Sequence, residues 1–198
     1  MINNLSVRLT KILLDKGSIT EDERDLYIYG FFMLLSQLMY FILACIFGLL
    51  FQCFLDSIIF YIAFQFIRRY AGGYHAATET RCEILSSLSI LGSIGIVKLS
   101  LIYDFQTALF CIALCSTVCI FILCPLDTPE KPLSNKELKY FKKISWLILF
   151  TITALIVVSY IFEWGYIFSS CCMSLILESI LLFAGKIKKV HTERGAQG

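Results

Sequence analysis

The chain has 198 residues, 58% of them hydrophobic and only 16% charged, with a mean hydropathy of +0.78. Soluble domains average roughly 45–50% apolar and about 25% charged residues, so a water-soluble globular fold is excluded; 17 Phe and 10 Tyr against 3 Pro exclude a disordered chain. A net charge of +2 is too small to suggest a nucleic-acid partner, and the solvent implied for this chain is a lipid bilayer.

In chain order, Leu5, Val7, Leu9, Ile12 and Leu13 interleave with Arg8, Lys11 and Lys16, the pattern of an amphipathic helix lying on the inner leaflet. This stretch lacks the unbroken apolar core and small-residue cleavage site of a signal peptide. Ser18-Ile19-Thr20-Glu21, followed by Asp22 and Glu23, carries helix-start signals. A spanning helix needs about 20 mostly apolar residues to cross a core of about 30 Å. Residues 31–51, 84–103, 107–124, 144–162 and 166–185 meet that length. A sixth run, 57–67, is short and reaches usable length only by starting near Cys53 or by continuing through Arg68 and Arg69 to Tyr70.

The basic residues give an independent count. Arg8, Lys11, Lys16 and Arg24 precede the first span; Arg68, Arg69 and Arg81 lie between the second and third. Lys131, Lys136, Lys139, Lys142 and Lys143 lie between the fourth and fifth, and Lys186, Lys188, Lys189 and Arg194 follow the sixth. The connections around Asp56, Asp104 and Glu163 contain no Lys or Arg. The positive-inside rule assigns the basic connections to the cytoplasm, and the bias holds only if the short second span is kept. Lys98, near the outer end of the third span, is expected to snorkel toward the interface beside Asp104. The expected fold is all-α: a single polytopic membrane domain over 1–198 with about six transmembrane helices and both termini cytoplasmic. Its cytoplasmic parts are an amphipathic N-terminus (1–25), a polar segment (68–83), a basic loop (125–143) and a basic tail (186–198).

The segment 68–83 carries the chemistry. It holds Arg68, Arg69, the pair Gly72-Gly73, His75 and Cys82 within sixteen residues. The glycine pair is expected to break the second helix, and Thr80-Arg81-Cys82-Glu83 reads as a capping box with Thr80 as N-cap and Glu83 at N3. That puts Cys82 in the first turn of the third spanning helix, where the helix terminus and Arg81 favour a thiolate and Glu83 opposes it. His is the usual group that takes a thiol proton and returns one to a leaving amine. Seven residues of continuous helix would set His75 and Cys82 roughly 10 Å apart, so the pair requires the chain to turn back between them. Glu79 is the nearest carboxylate able to orient His75; Asp127 would reach it only through tertiary folding. By default, Arg68 and Arg69 are ordinary interfacial anchors.

The other cysteines read differently. Cys111, Cys115 and Cys119 repeat along one face of the fourth span, and with Gly92-Ser93-Ile94-Gly95 they are expected to form helix–helix contact faces. No His or carboxylate in that span completes a metal site, and no cofactor is implied. Cys171-Cys172 is a vicinal pair rather than a CxxC, and His191 belongs to the basic tail.

Arg-Arg-Tyr-Ala-Gly-Gly-Tyr-His-Ala, with a Cys seven residues after the His, resembles the accessory gene regulator protein B family of bacterial membrane endopeptidases that process quorum-sensing pro-peptides. The run Cys124-Pro125-Leu126-Asp127-Thr128-Pro129-Glu130-Lys131-Pro132-Leu133 resembles the family's Pro-rich segment ending in Lys-Pro. The resemblance implies Cys82 as nucleophile, His75 as general base, and Arg68, Arg69, Gly72, Gly73 and Lys131 as candidate substrate-binding residues. It also implies an AgrD-like precursor with an acidic C-terminal tail, an acyl-enzyme thioester resolved by ring closure to a thiolactone or lactone, a cytoplasm-facing site in the bacterial cell membrane, and a homodimer. The competing readings are a small peptide exporter, which the scarcity of ionisable residues inside the spans (Lys98 and Glu178) disfavours, and a thiol-redox membrane protein.

Overall fold

The computed structural model describes residues 2–74, 78–103, 105–126 and 134–195. Among them the secondary structure is entirely helical: α1 (Ile2–Asp15), a 3₁₀ turn (Glu21–Glu23), α2 (Arg24–Leu50), α3 (Phe54–Ala71), α4 (Glu79–Ile102), α5 (Gln106–Leu123), α6 (Asn135–Ile161) and α7 (Gly165–Gly195). The chain divides into two compact units, Met1–Leu43 and Ala44–Gly198, with the division falling inside α2.

In the first unit, the amphipathic stretch is the helix α1, with Leu5, Val7 and Ile12 exposed and Ser6 and Thr10 buried. Both hydroxyls bond back to their own helix, Ser6 Oγ to the Ile2 carbonyl and Thr10 Oγ1 to the Ser6 carbonyl. The helix-start signal at Thr20 is realised: the Thr20 amide and hydroxyl both donate to Glu23 Oε2, at 3.0 and 3.1 Å.

Among the described residues, five helices are long and apolar enough to cross a membrane, covering Glu21–Leu50, Thr80–Ile102, Gln106–Leu123, Lys136–Ile161 and Gly165–Thr192. The short run at 57–67 becomes the 18-residue α3. It extends both ways the sequence allowed, starting just after Cys53 and running through Arg68 and Arg69. At 1.5 Å per residue it is about 27 Å long, and Asp56, Arg68 and Arg69 set it apart from the five.

In the second unit α7 is the central helix, with α3, α4, α5 and α6 packed on it. It is suited to that place by a run of small side chains, Ser169, Ser170, Cys171, Cys172, Ser174 and Ser179, all buried. Without a hydrophobic drive between helices in lipid, close backbone approach through small residues is what holds such a bundle. Phe60, Phe64 and Ile67 of α3, Ile90, Ile94 and Val97 of α4, and Leu149, Ile152 and Ile156 of α6 fill the space around it. Residues turned outward are large and apolar, among them Ile122, Leu147, Phe150, Ile161 and Phe183, as a lipid-facing surface requires.

Two contact expectations hold only in part. Cys111 and Cys115 are exposed; α5 packs instead through Leu109, Ala113, Ser116 and Ile120, with Ser116 accepting a hydrogen bond from Ser179 of α7 at 3.1 Å. A Cβ at Gly92 or Gly95 would meet nothing within 4 Å, whereas Ser93 and Ile94 between them are buried. In both helices serine, which can bond as well as approach closely, takes the seam.

Contacts at two levels fix the direction of the helices. At one level Ser170 Oγ of α7 donates to the Asp56 carbonyl of α3 (2.9 Å), and Phe110 of α5 stacks on Tyr160 of α6 (4.7 Å between centroids). At the other, Tyr70 of α3 meets Phe141 of α6 edge-on (5.8 Å) and Phe121 of α5 stacks on Trp146 of α6 (4.5 Å). Helices α3 and α7 therefore run parallel, side by side. The second level is the basic end, where Arg68, Arg69, Lys136, Lys139, Lys142, Lys143, Lys186, Lys188 and Lys189 lie near the ends of α3, α6 and α7. Lys98 is half-buried in α4, and Asp104, its expected neighbour, lies outside the described residues.

Candidate active site

Helix α3 ends where the glycine pair stands. Gly72 has φ +82° and Gly73 φ +140°, backbone that L side chains rarely adopt. The chain therefore leaves the helix and turns across the basic end of α7. Arg68, one turn before the break, reaches over this turn: its Nη1 donates to the Gly72 carbonyl and its Nη2 to the Tyr74 carbonyl, both at 2.7 Å. One guanidinium fork thus clamps two alternate carbonyls, using the planar donor geometry that distinguishes Arg from Lys. A Cβ at Gly73 would collide with that guanidinium.

The clamp is docked on two other elements. The Tyr74 amide donates to the Leu181 carbonyl of α7 (2.9 Å), and the Leu126 amide donates to the Ala71 carbonyl (2.8 Å). The start of the Pro-rich loop therefore joins the arginine–glycine motif, although Gly73 and Leu126 are 53 positions apart in sequence. Gly185 of α7 admits both segments: a Cβ there would lie 2.6 Å from Leu126 Cδ2 and 2.9 Å from the Gly73 carbonyl carbon and the Tyr74 nitrogen. Lys188 Nζ stands over the Tyr74 ring at 5.7 Å.

Beneath the clamp lies Glu178 of α7, fully buried, with Oε2 3.8 Å from Arg68 Nη1. That is ion-pair range and too long for a hydrogen bond; neither carboxylate oxygen has a hydrogen-bond partner among the described residues. Sequence reasoning noted Glu178 only as an ionisable residue inside a span. The signal that it matters was the cost of such a group in lipid, which makes it a functional residue by default and calls for a named partner. Arg69, by contrast, is exposed, its guanidinium carbon 5.9 Å from the Tyr70 ring centroid.

Cys82 stands in the first turn of α4, half-buried. The expected cap moves by two residues. Thr78, not Thr80, is the N-cap, in extended backbone at φ −134° and ψ 149°, and its Oγ1 accepts from the Arg81 amide at 3.3 Å. The earlier cap wins because α4 begins at Glu79, which leaves Thr80 already helical and unable to serve as N-cap. The Cys82 amide is accordingly spent on the Thr78 carbonyl (3.0 Å), and the thiol sits at the fourth helical position rather than the second. We expect Thr78→Ala to cost about 1 kcal/mol, a typical loss for an N-cap, and Thr80→Ala to be near neutral. Thermal unfolding of the two variants in detergent checks the order.

His75, Lys131 and Asp127 lie outside the described residues, as does the Glu79 side chain. His75 directly follows Tyr74 in sequence, and Tyr74 is held at both its amide and its carbonyl. Four residue steps separate Tyr74 from the Thr78 cap, a reach of at most roughly 14 Å.

A family model, Accessory gene regulator B, matches residues 6–182. That span contains Arg68, the glycine pair, His75, Cys82, the Pro-rich loop and Glu178. The chain belongs to the accessory gene regulator B family. An AgrB-like protein of Clostridium perfringens strain SM101, so named provisionally, is 28% identical over 155 residues, which cover 75% of this chain and 72% of that one. A second, AgrB-like protein 2 of strain 13 and equally provisional in name, is 26% identical over 155 residues with the same coverage. No solved structure gives a significant match. Family membership and the five apolar helices make this a multi-pass cell-membrane protein of the AgrB type, a family tied to quorum-sensing peptide processing and to AgrD-type peptides.

Proposed function

We propose that this protein is a membrane cysteine endopeptidase that cuts a quorum-sensing pro-peptide and retains the signal portion for cyclisation. The observation that carries the reading is the docking of two distant motif segments, 68–74 and 124–126, onto one end of α7, with Cys82 close behind in the chain on the first turn of α4.

In this mechanism His75 takes the Cys82 thiol proton and the thiolate attacks the scissile carbonyl carbon. The C–N bond breaks, the proton passes from His75 to the departing amine, and the C-terminal fragment leaves. The signal portion remains as a thioester on Cys82. A thiol (or hydroxyl) of that portion then attacks the thioester carbonyl, its proton passes to the Cys82 sulfur as the C–S bond breaks, and a thiolactone or lactone departs. Exchange between thioesters is nearly energy-neutral, so acyl activation is kept only if water is kept out, a reason to run the reaction beside lipid.

The substrate in this reading is an AgrD-like precursor with an acidic C-terminal tail. Arg69, whose side chain is exposed, and the lysines at the basic end, Lys131 with them, attract that tail near an anionic leaflet. Arg68, Gly72 and Gly73 shape the turn that presents it. The basic end faces the cytoplasm. With α3 lying along α7 for much of its length and ending at the same level, we count α3 as a sixth span, which returns both termini to the cytoplasm, and by family resemblance two copies pair as a homodimer.

Reconstituted in liposomes with its precursor, the protein is expected to release the C-terminal fragment. Transport of the mature peptide without cleavage would overturn the reading in favour of an exporter. Arg69→Glu is expected to raise KM by roughly tenfold with kcat nearly unchanged, because it alters attraction of the tail rather than the reacting atoms. The effect should shrink as salt rises.

A further inference from the structure

We propose that Glu178 is a positioning residue for the reaction: it draws the Arg68 guanidinium inward and thereby fixes the Gly72–Tyr74 backbone that leads into the catalytic segment. The inference rests on the reading of 68–83 as that segment.

Arginine at a helix end beside a membrane interface ordinarily extends its charge toward water, as the exposed Arg69 does. Arg68 does the opposite. Its side chain is only 19% exposed and its two donor nitrogens turn back onto the Gly72 and Tyr74 carbonyls. Two neutral carbonyls do not offset the cost of withdrawing a full positive charge from water; a buried charge needs a paired one. Glu178 supplies it from α7, and it is the only ion-pair partner of Arg68 among the described residues. Among the described residues the Glu178 carboxylate has no hydrogen bond and no other ion-pair partner to account for a carboxylate at this depth.

The geometry also accounts for the choice of residues around the pair. The fork needs room over Gly73, where a Cβ would meet the guanidinium, and the clamped strand needs Gly185 beneath it. The Tyr74 amide bonds to the Leu181 carbonyl one turn beyond Glu178 on the same helix. Charge, acceptor and space for the clamp thus all come from eight residues of α7, Glu178 to Gly185.

The test is single-turnover cleavage of the reconstituted protein, with precursor affinity measured separately on each variant. Glu178→Gln is expected to slow cleavage by about 10²-fold, the scale of a misplacement of about 1 Å, with Kd for the precursor within about twofold. Glu178→Asp, which keeps the charge, is expected to recover much of the rate. If Glu178→Gln fails to insert or fold, the double variant Arg68→Met with Glu178→Leu removes both charges, a replacement that is commonly neutral for folding. It is expected to be as stable as the parent and still slow by about 10²-fold. Parental rates in either variant would overturn the proposal, as would a change confined to precursor affinity. A Cys82→Ser protein that still cleaved would defeat the endopeptidase reading itself, whereas an inactive Cys82→Ser beside a fully active Glu178→Gln would defeat the positioning role alone.

Discussion

Cys82→Ser is expected to abolish precursor cleavage, and His75→Ala to lower it by about 10²–10⁴-fold, the span that a general base contributes. The serine variant is the more severe because a hydroxyl is a far weaker nucleophile at neutral pH and cannot form the thioester on which ring closure depends. Neither change should disturb insertion. Cys82 is half-buried on the first turn of α4, and replacing sulfur by oxygen there leaves the Thr78 cap and its bonds in place. The check is cleavage rate alongside precursor affinity: the rate collapses while Kd stays within about threefold. Parental cleavage by Cys82→Ser would remove the nucleophile from the account.

Gly73→Ala is expected to be nearly as damaging, for a reason that lies in the backbone. At φ +140° an L residue is strained by about 1–3 kcal/mol. The added methyl also falls on the Arg68 guanidinium, which must leave the Gly72 and Tyr74 carbonyls and so abandons Glu178. We expect cleavage to fall by about 10²-fold and thermal stability to drop. Gly92→Ala is the control, since a methyl there meets nothing within 4 Å and alanine favours the helix by up to about 1 kcal/mol. If both alanines behaved alike, the clamp would have no bearing on activity.

Much of this was legible in the amino-acid sequence, and the reasons are physical. Lipid imposes length and apolarity on each span, so five of the helices could be read from runs of apolar residues. The distribution of Lys and Arg argued for a further helix despite the short apolar stretch at 57–67, and α3 is that helix. The glycine pair announced a helix break because few other residues tolerate that backbone. Packing faces were not legible. A helix that is apolar all round carries no periodic signal, so the cysteine stripe of α5 resembled a seam as well as Ser116 did. The cap slipped by two residues because Thr78 and Thr80 are equally good caps by composition, and the helix start decided between them. The meeting of Arg68 with Glu178 joins residues 110 positions apart, a relation that one chain read in order does not disclose. The proposed catalytic pair came instead from the resemblance of the arginine–glycine–histidine motif and its spaced cysteine to the accessory gene regulator B family; the match over residues 6–182 then established membership of that family.

The measurement that bears most directly on the central claim is capture of the covalent intermediate. Purified protein in liposomes, incubated with its precursor and quenched in acid, would be weighed intact and then mapped by peptide. The account predicts a hydroxylamine-sensitive adduct on Cys82, equal in mass to the N-terminal portion of the precursor and lacking in Cys82→Ala. An adduct on another cysteine, or cleavage that proceeds in Cys82→Ala, would contradict it.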